Sequence, residues 1–285
     1  MSESQALALA GVSALFFGTA LVTAKLGLRS LDARAGAAIS IPTATVLLLV
    51  AAPFTVEPSA FSMTAALLFA LVGLFFPALV TLITFTANER LGPSVTGTLS
   101  STAPLFALAA AFMFLGERMP GRAVVATAAV VAGAVLLSWR AGTVVRGALW
   151  LPLTGAALRG VAQVVAKAGL AFWPDPFAAS AIGYVVSTAA VLAADRGARR
   201  SPVQRSRVAI LWFMLTGVLN GGAVLLMYAA LSAAPVSLVA PTVASYPLVT
   251  VLGSALVLRE EPLNARIVAG ALLVVAAIAY LVAGA

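Results

Sequence analysis

The 285-residue sequence contains no cysteine and no histidine, and only 9% of its residues are charged. The absence of cysteine excludes disulfides and thiol chemistry, and the absence of histidine removes the commonest metal ligand and the usual proton shuttle. Because 62% of the residues are hydrophobic, the chain has too little polar surface for a water-soluble globule of this length. We therefore expect a protein that uses lipid as its solvent.

Acidic residues are also scarce, and all nine fall at the N-terminal tail or between apolar runs: Glu3, Asp32, Glu57, Glu89, Glu117, Asp175, Asp195, Glu260 and Glu261. An intramembrane enzyme would need a buried nucleophile with a base or a metal cluster, and only a Ser/Lys or Tyr/Arg pair is available for this. We expect neither catalysis nor a cofactor. The net charge of +8 comes from bases in short loops, a pattern that does not predict nucleic-acid binding.

Ten apolar runs are present, and a helical span needs roughly 20 apolar residues. The sequence therefore predicts an all-α, polytopic membrane protein with no soluble domain. The acidic start favours keeping the first run as a span over cleaving it as a signal peptide. Asp32 and Asp175 are predicted N-caps. The predicted spans are 6–24, 35–53, 64–87, 94–115, 122–139, 147–166, 177–194, 208–230, 236–258 and 267–283.

The sequence repeats itself. Residues 24–28 (AKLGL) recur as 166–170 (AKAGL), and Pro104 corresponds to Pro247 at an offset one residue larger. The chain is therefore predicted to form two halves of five spans, residues 1–143 and 144–285. An odd number of spans places the second copy upside down in the bilayer, which is the architecture of alternating-access transporters around a central cavity.

Positive charge is unevenly distributed between the two sets of loops. Thirteen of the 17 lysines and arginines follow odd-numbered spans. The positive-inside rule then places both termini outside the cytoplasm.

Two segments carry a family resemblance. Pro104 is followed by 114–118 (FLGER) and a Gly/Ala-rich run, and Pro247 is followed by 258–261 (LREE) and a similar run. This doubled pattern resembles the EamA repeat of the drug/metabolite transporter superfamily. The resemblance implies a ten-span basket around a central cavity, with the fifth helix of each half packed outside. It further implies export of amino acids, other metabolites or drugs across the cell inner membrane. Both termini would then lie in the cytoplasm, in conflict with the charge count.

One base, Arg159, lies within a predicted span, where facing lipid would be costly. We expect it to face the cavity and pair with a substrate carboxylate, although hydrogen bonds to carbonyls of broken helices would also hold it. Gln163, one turn later, shares its face and is either a substrate contact or a link between helices. Phe17 occupies the equivalent position in the first half, so it should line the cavity opposite Arg159, unless it serves only packing.

Further cavity candidates lie beside helix disruptions. Ser100 and Ser101 precede Pro104, and Tyr246 precedes Pro247, so kinks at the two prolines could open polar groups toward the cavity or act as hinges. Static kinks satisfied by hydroxyl groups are the alternative. Other candidates are Asn220, which must find a partner or the cavity, and Tyr228 on the same helix face. The aromatic segments are either cavity walls or interface belts, and they comprise Phe75, Phe76 and Pro77 in the third run and Trp212 and Phe213 in the eighth. Lys25 and Lys167 are interpreted as snorkelling helix ends.

These features predict a transporter that exports or exchanges small organic solutes, most specifically aromatic or other hydrophobic amino acids. Its expected partners are the solute and the lipid bilayer, and a monomer is sufficient because the two joined halves complete one cavity. Without an intramembrane carboxylate, neither tight proton coupling nor selectivity for cationic drugs is expected. Metabolite, nucleotide-sugar or drug transport within the same superfamily is the alternative, and a non-transporting membrane protein is a further one.

Overall fold

The structure, a computed structural model, describes residues 1–56, 60–118, 120–138, 146–196, 206–259 and 265–283. Within these ranges every regular element is helical. Apolar runs of this length form helices in lipid because each backbone amide must find its partner inside the segment. The predicted repeat boundary at residues 143 and 144, and the acidic pair Glu260 and Glu261, lie outside the described residues.

The first five spans are built from seven described α-helices. The third span consists of α3 and α4, and the fourth of α5, α6 and a π-helical turn, Ala111–Leu115. The bounds are α1 (Glu3–Gly27), α2 (Ala33–Thr55), α3 (Met63–Phe75), α4 (Ala78–Leu91), α5 (Pro93–Ser100), α6 (Ala103–Ala110) and α7 (Gly121–Ser138).

The second five spans are built from six described α-helices. The ninth span consists of α11, α12 and a π-helical turn, Ser254–Leu258. The bounds are α8 (Trp150–Phe172), α9 (Pro176–Arg196), α10 (Arg207–Ala233), α11 (Val236–Val243), α12 (Tyr246–Gly253) and α13 (Ala265–Ala283).

Apolarity and length agree with the membrane assignment. Seven of the spans have the length and composition to cross a bilayer, and shorter apolar helices cover Gly121–Leu136 and Ala265–Leu281. α8, which carries Arg159, completes the ten. Large side chains such as Phe54, Val50 and Leu67 are exposed on the outside of the bundle, where acyl chains would cover them. The predicted ten-span, all-helical fold is confirmed.

The two predicted aspartate caps are confirmed. The Asp32 carboxylate accepts a hydrogen bond from the Ala35 amide at 2.7 Å. Asp175 accepts bonds from the amides of Phe177 and Ala178 at 2.9 and 3.0 Å. Each carboxylate satisfies amides that the first helical turn leaves free and complements the helix dipole. Both residues thus fix where a span begins.

Proline breaks three spans. The predicted kinks are present, because α6 and α12 each begin one residue before a proline, at Pro104 and Pro247. The hydroxyl groups of Thr102 and Ser245 donate to carbonyls three residues earlier, both at 2.7 Å, so local bonds satisfy the turn. The predicted third span is not continuous, since the chain is extended at Phe76 between α3 and α4, and the next residue, Pro77, cannot donate to a helical ladder.

Equivalent glycines join the two halves at the centre. A side chain at Gly18 of α1 would meet the Tyr246 carbonyl of α12 at 2.7 Å, and one at Gly160 of α8 would meet the Ala103 carbonyl of α6 at 2.8 Å. Gly18 and Gly160 are equivalent in the repeat, and Ala103 and Tyr246 are related by the offset that relates the kink prolines. The inverted repeat is therefore expressed as paired helix contacts, and small residues permit this close approach.

The fifth helices of the two halves, α7 and α13, pack along each other. A side chain at Gly133 of α7 would meet the Gly270 carbonyl of α13 at 2.9 Å. Neither helix contributes to the central cavity, so these helices support the bundle from one side, as the family resemblance implies.

Candidate functional site

A central cavity lies where helices of both halves meet. It is bounded by α1, the α3–α4 break, α4, α8, α9, α10 and the start of α12. Its walls are mostly apolar and aromatic, with one cation and a few hydroxyl and amide groups. The lining residues are Phe17, Ala20, Leu21, Phe76, Pro77, Thr81, Thr84, Phe85, Arg159, Tyr184, Asn220, Val224 and Tyr246.

Arg159 is the cation of this cavity. It lies near the middle of α8 and is 8% exposed. Its guanidinium carbon lies 5.0 Å from the ring centroid of Phe17, 5.6 Å from that of Tyr246 and 6.0 Å from that of Phe76. Contacts of this kind stabilise a desolvated cation by about 2 kcal/mol, much less than the several kcal/mol that burying the charge costs.

Among the residues that the structure describes, no carboxylate compensates this charge. Within the described residues, the guanidinium has no ion pair, and its Nε has no hydrogen-bond partner. A buried charge without a counter-ion is expensive, and polar groups left in this way call for an explanation such as a ligand. The Arg159 site is therefore suited to a bidentate anionic group such as a carboxylate.

Two tyrosines place hydroxyl groups close to this cation. Tyr184 and Tyr246 are both almost fully buried, and neither phenol oxygen has a hydrogen-bond partner within the described residues. The Tyr246 hydroxyl interacts weakly with the side chains of Arg159 and Ser100, at geometries short of a full hydrogen bond. Both tyrosine hydroxyl groups could therefore donate to an anion that Arg159 binds.

The structure brings four predicted site residues together on the cavity wall, Arg159, Phe17, Asn220 and Tyr246. Gln163, Ser100, Ser101 and Tyr228 are also buried, but they do not line this cavity. The Oε1 of Gln163 and the Oγ of Ser100 have no partner within the described residues, whereas Ser101 donates to the Thr98 carbonyl at 2.6 Å.

A polar row on α4 and Tyr184 of α9 belong to the site but were not predicted from the sequence. Thr81 and Thr84 line the cavity, and Asn88, one turn further along the same face, is fully buried. The spacing was visible in the sequence, because residues three, four and seven positions apart share a helix face. Polar side chains at helical spacing in an apolar span are thus a signal for the site.

Lys167 does not snorkel toward the membrane surface. It is half-buried, and its Nζ donates to the carbonyls of Leu231 and Ala234, at 2.6 and 3.0 Å. These carbonyls end α10, where a cation complements the helix dipole. The prediction of a snorkelling side chain is wrong for Lys167, because the end of α10 lies within its reach and offers better acceptors than the bilayer surface.

Glu117 occupies the other side of the same junction. Its two carboxylate oxygens accept bonds from the amides of Val236 and Ser237 at 3.0 and 3.2 Å, so a residue of the first half caps α11 of the second. Lys167 and Glu117 together hold the turn between α10 and α11. This contact explains why the acid of the 114–118 segment follows its span so closely.

Comparison with known proteins agrees with this architecture. The model of the EamA-like transporter family matches residues 4–139 and again residues 145–283. No curated protein matches the chain. A solved structure described as "Crystal structure of protein" is similar over 97% of this chain and 96% of that chain, with a TM-score of 0.78 and 16% sequence identity, which shows that the fold is shared.

Proposed function

Because this chain belongs to the EamA-like transporter family of the drug/metabolite transporter superfamily, we propose that it carries aromatic or other hydrophobic amino acids through its central cavity by alternating access. The proposed setting is the cell inner membrane, and the proposed mode is export or exchange by a monomer, since the two halves already enclose one cavity.

The observation that carries this proposal is the guanidinium of Arg159, which lies inside an aromatic enclosure without an acidic partner among the described residues. A carboxylate would replace the missing counter-ion and form two parallel hydrogen bonds. The rings of Phe17, Phe76 and Tyr246 would surround the apolar part of the same molecule. A solute that combines one carboxylate with an apolar or aromatic side chain matches both features.

The size of the cavity supports a closed state. The cavity volume is about 30 Å³, and one water needs roughly 10–15 Å³. About two waters would fit, so an amino acid enters only when the walls separate. The breaks before Pro104 and Pro247 are the proposed hinges, because the helix ladder is already interrupted there.

Charge argues against two alternatives within the superfamily. A nucleotide-sugar carrier would need several bases for a diphosphate, and Arg159 is the one base that the described part of the chain places on this cavity wall. A carrier of cationic drugs would need an acid, and none lines the cavity within the described residues. An uncharged metabolite or drug remains the second candidate, favoured by the apolar walls.

The proposal is tested by counterflow in proteoliposomes that contain unlabelled amino acids and receive labelled phenylalanine outside. The wild type should accumulate label, and Arg159→Ala should lose this accumulation by about tenfold or more, as expected when a charged hydrogen-bond partner is removed. Arg122→Ala is the matched control, since Arg122 pairs with Glu3 at the surface. Counterflow that survives Arg159→Ala would make the arginine structural, and no counterflow with any amino acid would exclude the substrate class.

A further inference from the structure

The polar row on α4 continues from the cavity wall toward α1. Thr81, Thr84 and Asn88 follow one another along a single helix face, and the first two already line the cavity. Asn88 belongs to the next turn and is fully buried. Its amide reaches α1, where Leu21 also lines the cavity. Asn88 therefore lies directly behind the cavity wall.

The orientation of the Asn88 amide is fixed by its single hydrogen bond. Nδ2 donates to the Leu21 carbonyl at 2.9 Å. Because a carbonyl oxygen can only accept, the nitrogen must face Leu21, and Oδ1 is left as the other end of the group. This oxygen has no partner within the described residues. Asn88 thus offers a free, preoriented acceptor, whose burial is costly without a donor.

The fold itself does not require polarity here. At the offset that relates the two kink prolines, Leu231 occupies the position of Asn88 in the second half, and the partners of Thr81 and Thr84 are Val224 and Met227. The helix at these positions of the second half is therefore built with apolar side chains. The acceptors on α4 are a property of the first half alone.

Neighbouring residues of α5 continue this asymmetry. The hydroxyl groups of Ser94, Thr96 and Ser100 are buried without a partner within the described residues. Val239 and Val243 replace two of them in α11, whose residues are all buried. The first half consequently carries buried hydroxyl groups on α5 at two positions where the second half has valine.

We propose that Asn88 Oδ1, together with the Thr84 hydroxyl, accepts hydrogen bonds from the ammonium group of the transported amino acid and so distinguishes amino acids from the corresponding deaminated acids. This inference rests on the proposed function. An ammonium group has three donors and no acceptor, which matches a site made of oxygen acceptors. Arg159 on α8 binds the carboxylate, and α4 binds the amine, so the two helices hold opposite poles of a zwitterion.

The experiment compares phenylalanine with 3-phenylpropionate, which has the same ring and carboxylate but no ammonium group. Counterflow of both is measured for the wild type and for Asn88→Leu, which copies the residue at the equivalent position. Phenylalanine transport should fall about tenfold, the size expected for one hydrogen bond to a charged group. Transport of 3-phenylpropionate should be unchanged, which also reports that the variant is folded.

The remaining outcomes separate the two proposals. Equal loss of both solutes, or no loss of either, overturns the role of Asn88 while leaving the carrier function intact. A wild type that carries neither solute overturns the proposed function and this inference with it. If Asn88→Leu cannot be purified in folded form, Thr84→Val decides the matter, since it removes one hydroxyl at nearly constant volume. A preference for phenylalanine that Thr84→Val leaves unchanged then overturns the inference.

Discussion

The guanidinium carbon of Arg159 lies 5.0 Å from the centroid of the Phe17 ring, and the two residues occupy equivalent positions in the two halves of the chain. An inverted repeat brings equivalent positions of its two copies to opposite sides of the central axis. Here one copy supplies a cation and the other an aromatic face. Equivalent positions of the two halves thus give the cavity two different chemistries.

This pairing predicts that Phe17 controls preference among hydrophobic amino acids. Phe17→Leu keeps an apolar side chain but removes the ring that faces Arg159. A contact of this ring with another ring or with a cation contributes about 1 kcal/mol. The concentration of phenylalanine for half-maximal counterflow should rise several-fold, and that of leucine should change less. Phe54→Leu, on the exposed outer surface, is the matched control. Equal shifts for both solutes would show that Phe17 serves packing alone.

Gly18 and Gly11 of α1 make opposite predictions for the same substitution. A Cβ at Gly18 would lie 2.7 Å from the Tyr246 carbonyl and 2.6 Å from Val249, whereas a Cβ at Gly11 would have no atom within 4 Å. Gly18→Ala should therefore destabilise the fold by about 1–3 kcal/mol through overpacking. Gly11→Ala should be neutral or slightly stabilising. Thermal unfolding in detergent measures both, and equal melting temperatures would contradict the close approach of α1 and α12.

Glu117 and Lys167 predict a stability effect at the α10–α11 junction. Glu117→Ala leaves two amides of α11 without an acceptor, so we expect a loss of about 1–2 kcal/mol, as for other lost caps. Lys167→Met should lower the melting temperature as well, by releasing two carbonyls. Glu3→Gln is the control, since its ion pair with Arg122 is partly exposed and such pairs contribute little. A Glu117→Ala variant as stable as Glu3→Gln would refute the cap.

The site was predictable from the sequence where a single residue differs in charge or backbone chemistry from the rest of its apolar span. Arg159 is a charge in an apolar helix, and the repeat then points to Phe17. The kinks at Pro104 and Pro247 were predictable because proline removes an amide from the helical ladder. The ten spans followed from apolar runs that only lipid can solvate. These features depend on local chemistry, which the sequence contains directly.

The remaining features depend on which neighbour covers each helix face. Gln163 shares a face with Arg159, yet it does not line the cavity. Residue spacing predicts which way a side chain points from its own helix, but it does not predict which neighbouring helix packs against that side. Lys167 contacts the end of α10, a tertiary relation that no spacing within α8 reveals. The break at Pro77 in α3–α4 was missed as a break, although its proline gave the same signal as Pro104. Cavity volume likewise follows from packing between helices.

Energy coupling provides a further prediction. The cavity wall has no acid within the described residues, and the chain has no histidine, so no group with an ordinary pKa near neutrality is available to exchange protons there. Counterflow between two amino-acid pools should remain nearly intact when an uncoupler collapses the pH gradient. Strong inhibition by the uncoupler, with intact liposomes shown by a retained dye, would mean that transport uses a proton site.

Membrane orientation can be tested directly because the chain has no cysteine, so a single introduced thiol is labelled without background. Ser30, between α1 and α2, and Ala60, before α3, are both exposed and lie on opposite sides of the bundle, since one span separates their loops. The excess of bases after odd-numbered spans predicts that Ser30→Cys faces the cytoplasm and Ala60→Cys faces outward. In intact cells an impermeant maleimide should then label Ala60→Cys and spare Ser30→Cys until the membrane is opened. The reverse pattern would place both termini in the cytoplasm, as the family resemblance implies. It would also mean that the excess of bases in the loops on the same side as Ser30 does not set the orientation of this chain.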